Sequence, residues 1–491
     1  MTDLYRLTAR QAVDLLAKGE VSPLDMVEAS AARIEATDGA MNAMPTLCLD
    51  RARDHAKAIM AGERPAYKGP GALHGLPMAV KELDDVAGVR TTYGSPIYAD
   101  NVPERSDIMV ERLEERGAIT MGKSNVPEFG AGGQSFNSVL GAAANPWDLG
   151  HTPGGSSGGS GAALAAGQVW IATGSDLGGS LRIPASFCGI VGYRTTPGIV
   201  AKGPDPYPFA DQPVAGPMAR NVPDTALMLD AMTGIHEEDP LSRAAPATSY
   251  VDQVLKALSE GSAPKRIGYS ADLGITTVAP EVDALCRAAT ERFAELGSEV
   301  TDAAIDFSDA PESFQTFRAL GFINGHEHEI DVHRDKFKPE NIWNIEKGRT
   351  LTREEISRAH RIRGALFHRM LAFFRDHDAL ALPSTIVPAL PLDMRYLPEL
   401  NGQRFDNYVE WIMITSVITL TTCPVISINC GFTKAGLPVG LQIVGPPHSD
   451  GRLLGWAAVA EHLYGLAGQV PLDPRGKRGA EPGPDDGRHV A

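Results

Sequence analysis

The first 65 residues alternate apolar and polar positions with the period of amphipathic helices. Thr8 can cap a run through Leu16, and Ser22 followed by Pro23 at a first helical position opens PLDMVEASAARIEA. From about Gly69 the texture changes to short apolar runs broken by glycine and proline. GLPMAV before Lys81, AITMG at 118–122 and VWIAT at 169–173 have the length of buried strands, and they alternate with helical stretches such as IMVERLEERG. RIGYS at 266–270, DALALPST at 378–385, CPVISIN at 423–429 and LPVGLQIVG at 437–445 predict further strands. APEVDALCRAATERFAELG predicts a helix closed by Gly297. Strands both early and late point to one sheet built from the whole chain, an α/β protein with a largely covered sheet. The stretch at about 305–365 is more polar and aromatic and is expected to shape a pocket, and the Pro/Gly/charge-rich tail 472–491 is expected to be disordered.

Composition narrows the function classes. The formal charge of -16 argues against nucleic acid as a main partner, because polyphosphate binding needs a basic face. Cys48, Cys188, Cys286, Cys423 and Cys430 are odd in number and form no CxxC pair, so neither a disulfide framework nor a zinc knuckle is expected. The opening residues lack a basic stretch followed by an apolar one, and no apolar run has the length of a membrane span. A cytoplasmic location with no membrane partner is the expectation.

The chemistry concentrates in two glycine-serine stretches, HTPGGSSGGSG at 151–161 and GSDLGGSLR at 174–182. A flexible linker would not sit between NPW and the small-residue helix GAALAAG, with a strand and an Asp176/Arg182 charge pair following. Gly154-Gly155-Ser156-Ser157-Gly158 fits the GxSxG elbow of a serine hydrolase, but none of the downstream His326, His328, His333, His360, His368 and His448 has a context that singles it out. Gly117 to Ser124 fits GxxxxGK[ST]. There, however, the apolar strand lies inside the pattern and Pro127 soon interrupts the chain beyond it, which argues against a phosphate loop. The third reading is a serine activated by a lysine. A lysine can act as a base if burial lowers its pKa by about three units, and Lys81 closes a buried strand. His326-x-His328 could form a metal pair, though a solvated helix face is the plainer reading.

Taken together, GLPMAVKELDDVAG, GKSNVPEFGAGGQSFNSVLGAAANPWD, PGGSSGGSGAALAAG and GSDLGGSLRIPASFCGIVGYRTTPG resemble the amidase signature family of serine hydrolases. PVISINCGFTKAGLPVGLQIVGPP resembles it more loosely. The resemblance is strong over about 66–235, within an expected domain spanning 66–471 against which the helical segment 1–65 would pack. It implies a single large domain with a mixed central sheet covered by helices on both faces. It further implies a triad of Ser180 as nucleophile, Ser156 as bridging serine after a cis peptide, and Lys81 as base. The amides of Leu177, Gly178, Gly179 and Ser180 would form an oxyanion hole, with Ser157, Ser175, Asp176 and Arg182 in support. No metal or organic cofactor is implied. The expected partner is a small-molecule amide or carbamate, and a homodimer is compatible. The activity implied is hydrolysis of small, aryl or acyl amides, carbamates or esters to an acid plus ammonia or an amine. Two alternatives stand beside it: the glutaminase component of a glutamyl-tRNA amidotransferase, and a non-catalytic binding protein on an amidase scaffold. The chain departs from the family pattern at Gly192-Tyr193-Arg194-Thr195-Thr196-Pro197, Thr422 and Asn429, which affects pocket shape more than mechanism.

Overall fold

The computed structural model describes residues 3–64 and 66–483. Among these, the centre is a mixed 11-stranded sheet. From one edge its strands are Thr46–Leu47, Ile119–Ser124, Pro77–Lys81, Ile171–Asp176, Val214–Ala219 and Val191–Arg194. They continue with Val425–Phe432, Pro438–Val444, Ala379–Pro383, Arg266–Tyr269 and Glu299–Asp302. Pro77–Lys81 lies parallel to both neighbours. The strands from Val214–Ala219 to Pro438–Val444 pair antiparallel on both sides. Early and late segments therefore share one sheet, as the hydrophobic pattern predicts.

Side chains alternate across the pleat and supply a core on each face. Met78 and Val80 enter one core and Ala79 the other, and Leu380 and Leu382 likewise face away from Ala379 and Ala381. Lys81 shares the parity of Ala79, on the face where Ala162, Ala163 and Leu164 of the helix Gly158–Ala165 are buried. The parallel neighbours Pro77–Lys81 and Ile171–Asp176 both end at the same edge, and ligand sites of α/β sheets form beyond such carboxyl ends.

The N-terminal helices Ala9–Lys18 and Pro23–Met41 are closed by capping boxes at Thr8 and Ser22. This segment also contributes the edge strand Thr46–Leu47, which its helical period gives no sign of. Segment 305–365 is dominated by the helices Ala310–His333 and Pro339–Arg349 and the first half of Arg353–Asp376.

The expected disordered tail is corrected over residues 472–483. Arg475 N–H donates to the Pro146 carbonyl at 3.0 Å, and its own carbonyl accepts from Leu149 N–H at 2.8 Å. Arg478 reaches the Ala40 and Ala142 carbonyls at 2.9 and 2.6 Å. Composition counts few apolar groups here, but the backbone and arginines satisfy carbonyls that the body leaves open. The remainder of that expectation, 484–491, lies outside the described residues.

Candidate active site

Lys81 ends its strand fully buried, and three hydroxyls surround its amine. Nζ lies 2.8 Å from Ser156 Oγ, 2.8 Å from Ser157 Oγ and 2.9 Å from Ser175 Oγ. Burial pushes its pKa down to about 7, against the opposing pull of Asp84 and Asp176. Buried away from water, the ammonium loses its hydration, so the neutral amine, a base, becomes accessible near neutral pH. Ser156 follows a cis peptide from Gly155. A β-carbon on Gly155 would stand 2.6 Å from Gln134 N, so only glycine lets the chain pass this close to the 132–134 loop.

The loop 177–181 is built around Asp176. This carboxylate accepts from Gly179 N–H and Leu181 N–H, each at 3.1 Å, and from Arg182 Nη2 at 2.8 Å and Nε at 3.0 Å. Arg194 adds a second guanidinium at 3.4 Å. Burial alone would raise the Asp176 pKa, but Arg182 and then Arg194 outweigh it and hold the carboxyl well below the usual range. Arg194, noted in the sequence only as a departure from the family pattern, is thus part of this brace.

The four amides expected to face an oxyanion do not behave alike. Gly179 N–H is already committed to Asp176, which corrects its place in that set. The N–H groups of Leu177, Gly178 and Ser180 carry no intramolecular hydrogen bond among the described residues. The helix Met413–Thr419 anchors two carbonyls of this loop from behind. Thr419 Oγ1 donates to the Leu177 carbonyl at 2.5 Å, and Thr415 Oγ1 to the Gly178 carbonyl at 2.6 Å, joined by Ser416 at 3.2 Å. In a trans peptide the N–H points opposite to the C=O, so anchoring the Leu177 carbonyl turns Gly178 N–H the other way. Gly179 has φ +118, and a β-carbon there would meet Thr415 Oγ1 at 2.3 Å. Sequence reasoning missed these hydroxyls; the signal available was three of them within one otherwise apolar helix.

Ser156, Ser175, Asp176, Leu177, Gly178 and Ser180 line one cavity of about 190 Å³, whose other walls include Leu83, Phe129, Arg318, Phe322 and Ile412. Among the described residues nothing hydrogen-bonds the Ser180 hydroxyl. A larger cavity, about 590 Å³, lies between the N-terminal helices and the body and contains none of these groups.

The competing readings find no counterpart. No histidine among the described residues bonds Ser156 or Ser180. His326 Nδ1 pairs with Glu329 Oε2 at 2.7 Å and its ring packs on Phe129 at 4.1 Å, away from any pairing with His328. Lys123 of the phosphate-loop pattern is buried in a strand, its amine on the Asp84 carbonyl and on Thr91 Oγ1 at 2.9 Å.

Comparison with known proteins agrees with this architecture. The Amidase family model matches residues 25–454. An acylamidase from Rhodococcus erythropolis is 33% identical over 478 residues, covering 96% of this chain and 98% of that protein. The A subunit of the glutamyl-tRNA(Gln) amidotransferase of Anaeromyxobacter dehalogenans is 34% identical over 493 residues, covering 94% and 97%. A bacterial aryl acylamidase of known structure superposes with a TM-score of 0.85 at 25% identity, covering 95% of this chain and 99% of that one. The molecule is a hydrolase of the class that acts on amide C–N bonds. The chain belongs to the amidase signature family. No helix among the described residues is long and apolar enough to cross a membrane.

Proposed function

We propose that the protein is an acylamidase-type enzyme that works alone on small or aryl amides, with Ser180 as nucleophile, Ser156 as proton relay and Lys81 as base. The observation carrying this reading is the buried Lys81 amine 2.8 Å from Ser156 Oγ, with its pKa pushed down to about 7. Neutral Lys81 takes the proton of Ser156, which takes that of Ser180 as its Oγ bonds to the amide carbon. The carbonyl oxygen becomes negative facing the free amides of Leu177, Gly178 and Ser180, each such donor supplying about 3 kcal/mol of transition-state stabilisation. The proton returns from Lys81 through Ser156 to the leaving nitrogen, which departs as ammonia or amine. Water then cleaves the Ser180 ester and releases the acid. Carbamates and esters can follow the same steps.

The test is a hydrolysis screen over primary amides, anilides, carbamates and esters. Ser180→Ala and Lys81→Ala should each lose at least about 1,000-fold in kcat/KM, and a fluorophosphonate should label Ser180. Full activity in Ser180→Ala would overturn the mechanism, and an unlabelled, inert wild type would favour a binding protein. The 34% identity to the A subunit of an amidotransferase supports a second reading as a glutaminase component. That reading expects glutamine turnover and co-purifying partner chains, and anilide hydrolysis by the isolated chain without glutamine turnover would exclude it.

A further inference from the structure

Arg318, on the helix Ala310–His333, lines the same cavity as Ser156 and Ser180 while only 5% exposed. Its guanidinium lies 5.2 Å from the Phe322 ring centre and 5.2 Å from that of Tyr408. Nε and Nη2 donate to the Tyr408 hydroxyl at 3.0 and 2.6 Å. Nη1 has no hydrogen-bond partner among the described residues, and no carboxylate there comes within ion-pair distance of this cation. The carboxylates nearby are committed: Glu340 is held by Arg395 at 2.7 and 2.8 Å, and Asp176 by Arg182 and Arg194. Lys338 donates to the Ala131 carbonyl, and its charge is met by the carboxylates of Glu340 and Glu128.

A buried arginine with one end spoken for and no counter-ion is costly unless a ligand supplies the charge. The neutral phenol of Tyr408 fixes the fork without neutralising it. Planar recognition through the remaining N–H groups suits a carboxylate. Phe129, Phe322, Leu83 and Ile412 line the walls beside it, so the connection to the reacting carbonyl would be a short apolar spacer. The volume of about 190 Å³ falls below the roughly 300–1,000 Å³ of pockets for drug-sized ligands.

We propose that Arg318 is a specificity-determining residue, binding a carboxylate a few bonds from the scissile amide, so that the preferred substrates are small amides bearing a carboxylate. The carboxylate can sit on the acyl side, as in a dicarboxylic acid monoamide, or on the amine side, as in an N-acyl amino acid. This proposal rests on Ser180 being the nucleophile of the same cavity, and its test separates the two.

Binding of succinamate and of its neutral isostere levulinamide to the Ser180→Ala chain is measured by calorimetry, and turnover of both is measured with the wild type. N-acetylglycine and N-propylacetamide form the amine-side pair. Succinamate or N-acetylglycine should exceed its neutral partner about 100-fold in affinity and in kcat/KM. In Arg318→Met that ratio should collapse toward 1, mainly through KM, with Arg318→Lys retaining part of it. Fluorophosphonate labelling of Ser180 reports whether each variant is folded. A wild-type ratio near or below 1 for both pairs overturns the proposal whatever the variants do, as does an unchanged ratio in labelled Arg318→Met. Carboxylate-selective binding without any turnover or labelling would uphold the anchor and overturn the nucleophile instead.

Discussion

Lys81 occupies a position that most lysines avoid, with its amine enclosed by Ser156, Ser157 and Ser175 at 2.8–2.9 Å. Because burial lowers its pKa to about 7, the free amine is the minor form in acid and the major form above neutrality. If that amine is the base, kcat/KM should fall tenfold per pH unit below about 7 and level off above it, a profile read equally well from the rate of Ser180 labelling. Lys81→Arg, which stays protonated throughout, should lose about 100- to 10,000-fold without recovery at high pH. At this scale much was legible in the sequence. Lys81, Ser156, Ser157, Ser175 and Asp176 fall in short motifs at strand ends and tight turns, and the structure brings them together. The direction of the Gly179 amide was not legible, because it depends on backbone dihedrals and on where the Asp176 carboxylate turns.

At the scale of elements, the loop 177–181 is braced from two sides, by Asp176 on its N–H groups and by the helix Met413–Thr419 on its Leu177 and Gly178 carbonyls. Among the described residues Thr419 is the sole side-chain donor to the Leu177 carbonyl, at 2.5 Å. Thr419→Val keeps the side-chain shape and leaves that carbonyl unpaired, at a cost of about 1–3 kcal/mol. Reorientation of the adjoining Gly178 N–H should lower kcat about 10- to 100-fold with KM little changed, as steady-state kinetics on a neutral amide would check. Equal kinetics in a folded variant would deny the helix this role. The hydrophobic period placed several strands well, since Arg266–Tyr269, Ala379–Pro383 and Pro438–Val444 lie within the apolar runs that predict them and Pro77–Lys81 ends one residue beyond its run. It could not place Thr415, Thr419 or Arg318 at the site, because their partners are distant along the chain or are open cavity.

For the whole molecule, the C-terminal segment closes the surface between the N-terminal helices and the loop at 146–149. Arg33 reaches Asp473 and the Leu472 carbonyl at 2.7 and 2.9 Å, and Arg478 bridges Ala40 and Ala142. A chain ending at Leu472 should therefore melt a few degrees lower by calorimetry, with Ser180 still labelled, since none of these contacts lies in the cavity. An unchanged melting temperature would show the docking to be incidental. Tail composition alone reads as disorder because it registers the lack of apolar burial and not the carbonyls waiting for donors.

The clamp on Leu177 joins residues 242 positions apart. On a ribosome, the loop meant to face the substrate emerges first and the helix that aims it emerges roughly ten seconds to most of a minute later. During that interval the strand Val191–Arg194 also lacks its neighbour Val425–Phe432, leaving a bare strand edge beside a half-built pocket. The nascent protein thus passes through a period with one unpaired strand edge and without the helix that anchors the Leu177 and Gly178 carbonyls.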